Sequence, residues 1–178
     1  MIDSGAGEKP DRAPRRALAL VGFMASGKST VGSLVALRAG APHHDLDAMI
    51  EDRSGMTISE LFERSGEVAF RTLESELLPA ALEPGAVASL GGGAALRDEN
   101  WTLIRKQAVS VWLDVPLSEL IARAGEKLDR PLLRGLGQQG LRTLLEARLE
   151  RYRQADYRVD ASRPLDVVAD EVCRLWRG

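Results

Sequence analysis

The chain has one cysteine, Cys173, two histidines, and aromatic residues at only 4% of its 178 positions. A single thiol rules out an internal disulfide framework and offers no metal site; it fits a reducing compartment, with packing on a C-terminal helix as its role. His43 and His44 are neighbours that would face opposite ways on a strand, so they are poorly placed to share a metal. Trp101, Trp112 and Trp176 are scattered, which suits packing better than a base-stacking platform. An excess of one charge is missing too: 24 Lys and Arg against 26 Asp and Glu leave −2. The whole molecule therefore has no pull toward nucleic acid or anionic membrane, and positive charge for an anion must be local. No stretch approaches the roughly 18 consecutive apolar residues of a membrane span, and the Gly-, Pro- and charge-rich first sixteen residues lack the apolar core of a signal peptide. A soluble, cytoplasmic monomer is expected, with residues 1–16 as a disordered leader and 17–178 as one domain. Internal repeats are absent.

What is present begins with Gly22-Phe23-Met24-Ala25-Ser26-Gly27-Lys28-Ser29-Thr30, a G-x-x-x-x-G-K-[ST] loop directly after the apolar run Ala17 to Val21. Backbone N–H groups in such a loop close around phosphate oxygens, and side chains at Gly22 or Gly27 would obstruct the approach. Lys28 is expected to meet the β- and γ-phosphates and the Ser29 hydroxyl to complete a Mg²⁺ shell. Ala25, Ser26, Gly27, Lys28, Ser29 and Thr30 are thus the nucleotide-binding candidates. A plain glycine turn would not require the preceding strand and the helix-like continuation through Val31, Leu34 and Val35. The pattern implies a nucleotide-binding phosphotransferase or NTPase.

Downstream, helix is expected over about 28–39 and a short strand at 43–47. Helical stretches follow from Asp47, over 58–64 and over 68–81, then a buried strand at 86–90. Residues 109–115 read as a fourth strand, Pro116 as a helix start, 141–154 as an amphipathic helix, 157–160 as a last strand and 164–176 as the closing helix. The Gly- and Pro-containing segment at about 124–140 reads as a mobile lid. Such alternation implies an α/β, P-loop NTPase-like three-layer sandwich around a mostly parallel five-stranded sheet.

Three constellations carry chemistry. Asp45 and Asp47, two apart at the end of a strand, are expected to project to one face while Leu46 enters the core; one carboxylate can serve a Mg²⁺ shell and the other an acceptor hydroxyl. The competing reading of the pair is a helix N-cap plus a solvated turn acid. Gly91-Gly92-Gly93, at the carboxyl end of a sheet strand, lets backbone approach a small ligand closely. Arg71, Arg130 and Arg148 are candidates for anions, because a guanidinium pairs bidentately with a carboxylate. Glu74, a helical turn beyond Arg71, can orient it, and Arg130 in the expected lid could reach a transferring phosphoryl group.

In order along the chain, the loop at 22–30, Asp45-Leu46-Asp47-Ala48-Met49-Ile50-Glu51, Gly66-Glu67-Val68-Ala69-Phe70-Arg71-Thr72-Leu73-Glu74, Leu90-Gly91-Gly92-Gly93-Ala94 and Arg130-Pro131-Leu132-Leu133 closely resemble the shikimate kinase family. The likeness runs from about residue 17 to 175. It implies transfer of the ATP γ-phosphate to the 3-hydroxyl of shikimate, with Mg²⁺. It assigns phosphate and magnesium to Lys28, Ser29 and Asp45, and the acceptor hydroxyl to Asp47. Shikimate would meet Arg71, Arg148 and Gly91 to Gly93, with Phe62 and Phe70 beside its ring; Arg130 would be the lid arginine, and Arg123 and Pro164 would sandwich adenine. A related gluconate-type kinase and a catalytically silent kinase-like domain are the alternatives. Three departures stand out. Ala25 replaces a further glycine, His44 an aromatic residue, and no proline separates Arg148 from Tyr152, so Arg151 competes with Arg148.

Overall fold

The protein was analysed as a computed structural model, which describes residues 16–124 and 137–178. The leader up to residue 15, and the segment 125–136 with Arg130 and most of the expected lid, lie outside the described residues. Arg16 is described: its guanidinium donates to the Arg105 carbonyl at 2.8 Å, and its own carbonyl accepts from Trp176 Nε1 at 3.1 Å.

Five strands form one sheet: β1 (Ala17–Val21), β2 (His43–Asp45), β3 (Val87–Ser89), β4 (Ala108–Asp114) and β5 (Tyr157–Asp160). Their order is β2-β3-β1-β4-β5, and every pairing is parallel. Every residue of β1 is buried, as a central strand covered on both faces requires. The helices are α1 (Lys28–Ala39), α2 (Leu46–Ser54), α3 (Ile58–Ala81), α4 (Asp98–Gln107), α5 (Leu117–Ala124), α6 (Gly137–Tyr152) and α7 (Leu165–Arg177), with a 3-10 turn at Ala94–Leu96. None of them is long and apolar enough to cross a membrane. Trp101, Trp112, Trp176 and Cys173 are all buried in the core, and burial raises the thiol pKa of Cys173.

Four local features depart from the sequence expectation. The strand expected at 43–47 ends at Asp45, where the chain turns into α2. The two helical stretches expected at 58–64 and 68–81 are one element bent at Gly66, whose φ of 77° and ψ of 174° only glycine adopts readily. Its start is fixed by a capping box: Thr57 Oγ1 accepts from Glu60 N at 3.2 Å, and Glu60 Oε2 accepts from Thr57 N at 2.9 Å. Helix α4 was not foreseen, because its residues are mostly polar and its buried face is only Asn100, Trp101 and Ile104. Helix α6 begins at Gly137, inside the range expected for the lid.

The histidines take separate structural roles. His43 Nε2 meets Ser89 Oγ at 2.9 Å, and that hydroxyl donates to the Lys28 carbonyl at 2.9 Å. Strands β2 and β3 are thereby tied to the first turn of α1. A Cβ at Gly32 would collide with both Ser89 Oγ and His43 Nε2, so glycine is what lets α1 lie this close to the sheet. Burial lowers the His43 pKa. His44 points elsewhere and pairs with Glu83 at 2.7 Å.

Candidate active site

The carboxyl ends of β1, β2 and β3 open onto one crevice, where parallel α/β sheets bind ligands. Strand β1 leads into the loop at 22–27, β2 delivers Asp45, and β3 delivers Gly91 to Gly93. Two cavities occupy the crevice. The larger, about 570 Å³, is lined by residues 24–31, Asp45, Asp47 and Gly92, and at its far end by Arg123, Ala161, Arg163, Leu165 and Val168. The smaller, about 30 Å³, lies among Met24, Asp47, Ile58, Phe62, Phe70, Arg71, Glu74, Gly91 to Gly93 and Arg148. Met24, Asp47 and Gly92 line both.

Backbone geometry builds the large cavity. Gly22, at φ 147°, cannot carry a Cβ, which would sit 2.8 Å from the Leu113 carbonyl oxygen. Gly27, at φ 91°, is the N-cap of α1 and supplies no side-chain cap, so first-turn N–H groups remain for an anion. Lys28 Nζ donates to the carbonyls of Gly22 at 3.0 Å and Phe23 at 2.8 Å, which holds the ammonium over the loop. Ala25, Ser26, Ser29 and Thr30 all line the same cavity. Ala25 has φ 59°, the one non-glycine residue with positive φ among the described residues. The glycine it replaces would hold that conformation without steric cost.

Asp45 and Asp47 reach this cavity by a route that strand periodicity did not anticipate. Asp45 caps α2, its Oδ1 accepting from Asp47 N at 3.1 Å and from Ala48 N at 3.4 Å. Asp47 is in the first turn of that helix, and Leu46 between them is fully buried, as expected. Asp45 is therefore a helix cap and a cavity residue at once, and the strand-to-helix turn aims both acids at the crevice. At the far end, Arg123 Nη2 donates to Glu119 at 2.9 Å and to the Ala161 carbonyl at 3.1 Å. Pro164 is the N-cap of α7; the residues on either side of it, Arg163 and Leu165, line the cavity.

The small cavity is built from side chains. Arg71 Nη1 donates to Glu74 Oε2 at 2.7 Å, and its guanidinium lies 5.0 Å from the centre of the Phe70 ring. Phe70 packs on Phe62 with ring centroids 4.7 Å apart. Arg148, only 5% exposed, donates to the Gly92 carbonyl at 3.1 Å and lies 5.4 Å over Phe23. Tyr152 donates to the same carbonyl at 2.6 Å. Arg151 faces away, paired with Asp98 and lying over Trp101, so Arg148 is the arginine that lines the cavity.

The three glycines give room to these side chains. A Cβ at Gly91 would sit 2.8 Å from Glu74 Oε1 and 2.9 Å from Asp47 Oδ1, and one at Gly93 would sit 2.5 Å from the Arg71 nitrogens. At Gly92 the contacts would be 3.3 Å to Arg148 Nη1 and 3.4 Å to Met24 N. Sequence reasoning did not place Arg163, Leu165 or Tyr152 at the site, and it did not foresee the pairing of His43 with Ser89. Tyr152 had a signal in its i,i+4 spacing from Arg148. His43 and Ser89 had none, because their pairing depends on strand order.

Comparison with known proteins gives one answer. The shikimate kinase family model matches residues 24–176. The shikimate kinase of Gloeobacter violaceus is 45% identical over 161 residues, covering 88% of this chain and 90% of that one. The structure of the Acinetobacter baumannii shikimate kinase in complex with shikimate aligns with a TM-score of 0.87 at 32% identity, over 92% of this chain and 93% of that one. A Sinorhizobium meliloti gluconokinase, at 21% identity and a TM-score of 0.59, shares the fold alone. With the loop at 22–30, Asp47, Arg71, Gly91 to Gly93 and Arg148 gathered around one crevice, the chain belongs to the shikimate kinase family.

Proposed function

We propose that the protein transfers the γ-phosphoryl group of ATP to the 3-hydroxyl of shikimate, releasing ADP and shikimate 3-phosphate. The observation that carries this reading is the position of Asp47, on the wall common to the cavity of the phosphate loop and the cavity of the arginines. A phosphoryl group passing from one ligand to another must cross such a junction, and a carboxylate there can align the acceptor hydroxyl and take its proton.

In this reading the loop N–H groups and Lys28 hold the β- and γ-phosphates, and Lys28 neutralises the charge that develops during transfer. Arg71 and Arg148 pair with the acceptor carboxylate, Gly91 to Gly93 let backbone approach its ring, and Phe62 and Phe70 pack against its apolar face. Arg123 and Pro164 enclose the adenine, and Arg130, outside the described residues, is assigned to the lid. Ser29 and Asp45 offer a hydroxyl and a carboxylate in the cavity of Lys28, a hard oxygen set that fits Mg²⁺, which uses one or two protein ligands beside phosphate and water. When bound, Mg²⁺ neutralises phosphate charge and orients the γ-phosphoryl group. Action as a monomer belongs to the same reading; Cys173, buried and unpaired with another thiol, suits a reducing cytoplasmic setting.

An ADP-release assay with shikimate, with gluconate and without an acceptor tests the assignment. Release that depends on shikimate is expected. Release driven by gluconate would transfer the reading to a gluconate-type kinase, and no acceptor-dependent release would leave a ligand-binding domain.

A further inference from the structure

Glu74 is the one fully buried acid among the described residues, with no exposed side-chain surface. Its two oxygens are in different situations. Oε2 accepts from Arg71 Nη1 at 2.7 Å, while Oε1 is buried with no hydrogen-bond partner. Oε1 points at the wall of the small cavity, 2.8 Å from where a Gly91 Cβ would be, and Asp47 Oδ1 is 2.9 Å from that same point. The two carboxyl oxygens are therefore less than about 6 Å apart, a range in which like charges disfavour one another strongly when water is excluded. An ionised Glu74 would leave a desolvated lone-pair oxygen facing a second carboxylate with no donor between them.

We propose that Glu74 occupies the site as the neutral acid, with its proton on Oε1 directed to the Asp47 side, so that the acceptor pocket holds one carboxylate and not two. This rests on the small cavity being the acceptor site. The groups facing Glu74 are Arg71 and, through it, Glu67 on α3, Asp47 on α2, and Arg148 and Tyr152 on α6; β3 presents only the Gly91 backbone. Among the charged residues that line the small cavity, with Glu74 neutral, Arg71 and Arg148 outweigh Asp47 by one positive charge, which a monoanionic carboxylate acceptor cancels on binding. With Glu74 ionised the pocket is already neutral, and Arg71 is held by its own glutamate in competition with the ligand. Glu74 is then a positioning residue whose protonation sets how freely Arg71 can meet a carboxylate.

The direction of titration agrees with this geometry. Burial raises the Glu74 pKa and Asp47 adds to the rise, against the opposing pull of Arg71 and Arg148. The folded state therefore binds this proton more tightly than the unfolded chain, whose glutamate titrates near 4.3. The stabilisation relative to an ionised Glu74 is fully present below that value and is lost as pH rises through the raised folded value.

Infrared spectroscopy of the ligand-free protein tests the protonation without reference to activity. In wild-type protein near neutral pH, a protonated-carboxyl C=O band is expected that disappears on alkaline titration and is missing from Glu74→Gln. Absence of that band from a folded wild-type protein would overturn the proposal, even where Glu74→Gln fails to fold. In steady-state kinetics, the wild-type shikimate KM is expected to rise several-fold as the band disappears, with the ATP KM flat; Glu74→Gln should lose that pH dependence, and Glu74→Ala should raise the shikimate KM at every pH. A Glu74→Gln variant that keeps the wild-type pH profile would also overturn it. Failure of the proposed reaction would show separately, as no shikimate-dependent turnover in a wild-type protein that still carries the band.

Discussion

The phosphate side of the crevice is an open space of about 570 Å³ shaped by backbone, whereas the acceptor side holds about 30 Å³ and is shaped by arginine, glutamate and phenylalanine side chains. The phosphate cradle of the first comes from one continuous segment, a strand, a loop with two positive-φ glycines and the first turn of α1, with Asp45, Asp47, Gly92, Arg123 and the 161–168 region completing the cavity around it. The second draws on α2, α3, the turn after β3 and α6, and its space suffices for one or two waters. A nucleotide phosphate can dock against a preformed cradle. A cyclic acceptor needs the Arg71, Arg148 and phenylalanine side chains to give way, so its binding free energy also covers their rearrangement. The bend of α3 at Gly66 lies between Phe62 and Phe70, on the element that would have to yield.

If the two sides are independent in this way, substitutions should separate them. Lys28→Ala removes the ammonium held over the loop, and turnover is expected to fall by at least about 10²–10³-fold, while equilibrium shikimate binding, read by tryptophan fluorescence or calorimetry, is retained. Loss of shikimate binding in a folded Lys28→Ala protein would show that the sides are not separable. Arg71→Ala should raise the shikimate KM by about 10- to 100-fold, the value of a charge-assisted hydrogen bond, with a far smaller change in the ATP KM. Equal effects on both would place Arg71 in a role common to the two ligands. The smallest effect is expected at Ala25→Gly: relief of the left-handed strain, about 1–2 kcal/mol, is largely offset by added freedom of the unfolded chain, about 0.5–1 kcal/mol. Denaturant unfolding should show a gain below about 1 kcal/mol with the ATP KM unchanged; a clear loss of stability would mean that the loop gains from the Ala25 methyl group.

The same division explains what could be read from residues alone. The shape of the loop at 22–30 was legible because it depends on local backbone conformation, which glycine spacing records directly. Asp45 and Asp47 do reach one cavity, but by a geometry the two-residue repeat did not predict, since their convergence comes from a strand-to-helix turn at Leu46. Arg148 and Arg151 are three apart and share a helix face, so nothing local distinguished them. Asp98 and Trp101 of α4, the helix that periodicity did not reveal, are what hold Arg151 away. Glu74 was seen as a partner for Arg71, but its complete burial depends on how α2, β3 and α6 close around α3.

Asp47, where the two cavities meet, is proposed to act on the acceptor hydroxyl during transfer. Single-turnover chemical quench of Asp47→Asn, with ATP and shikimate both saturating, isolates that step from binding. The account predicts that both ligands still bind and that the transfer rate constant falls by about 10²–10⁴-fold, the usual contribution of a positioned general base. A transfer rate within a few-fold of wild type would contradict it.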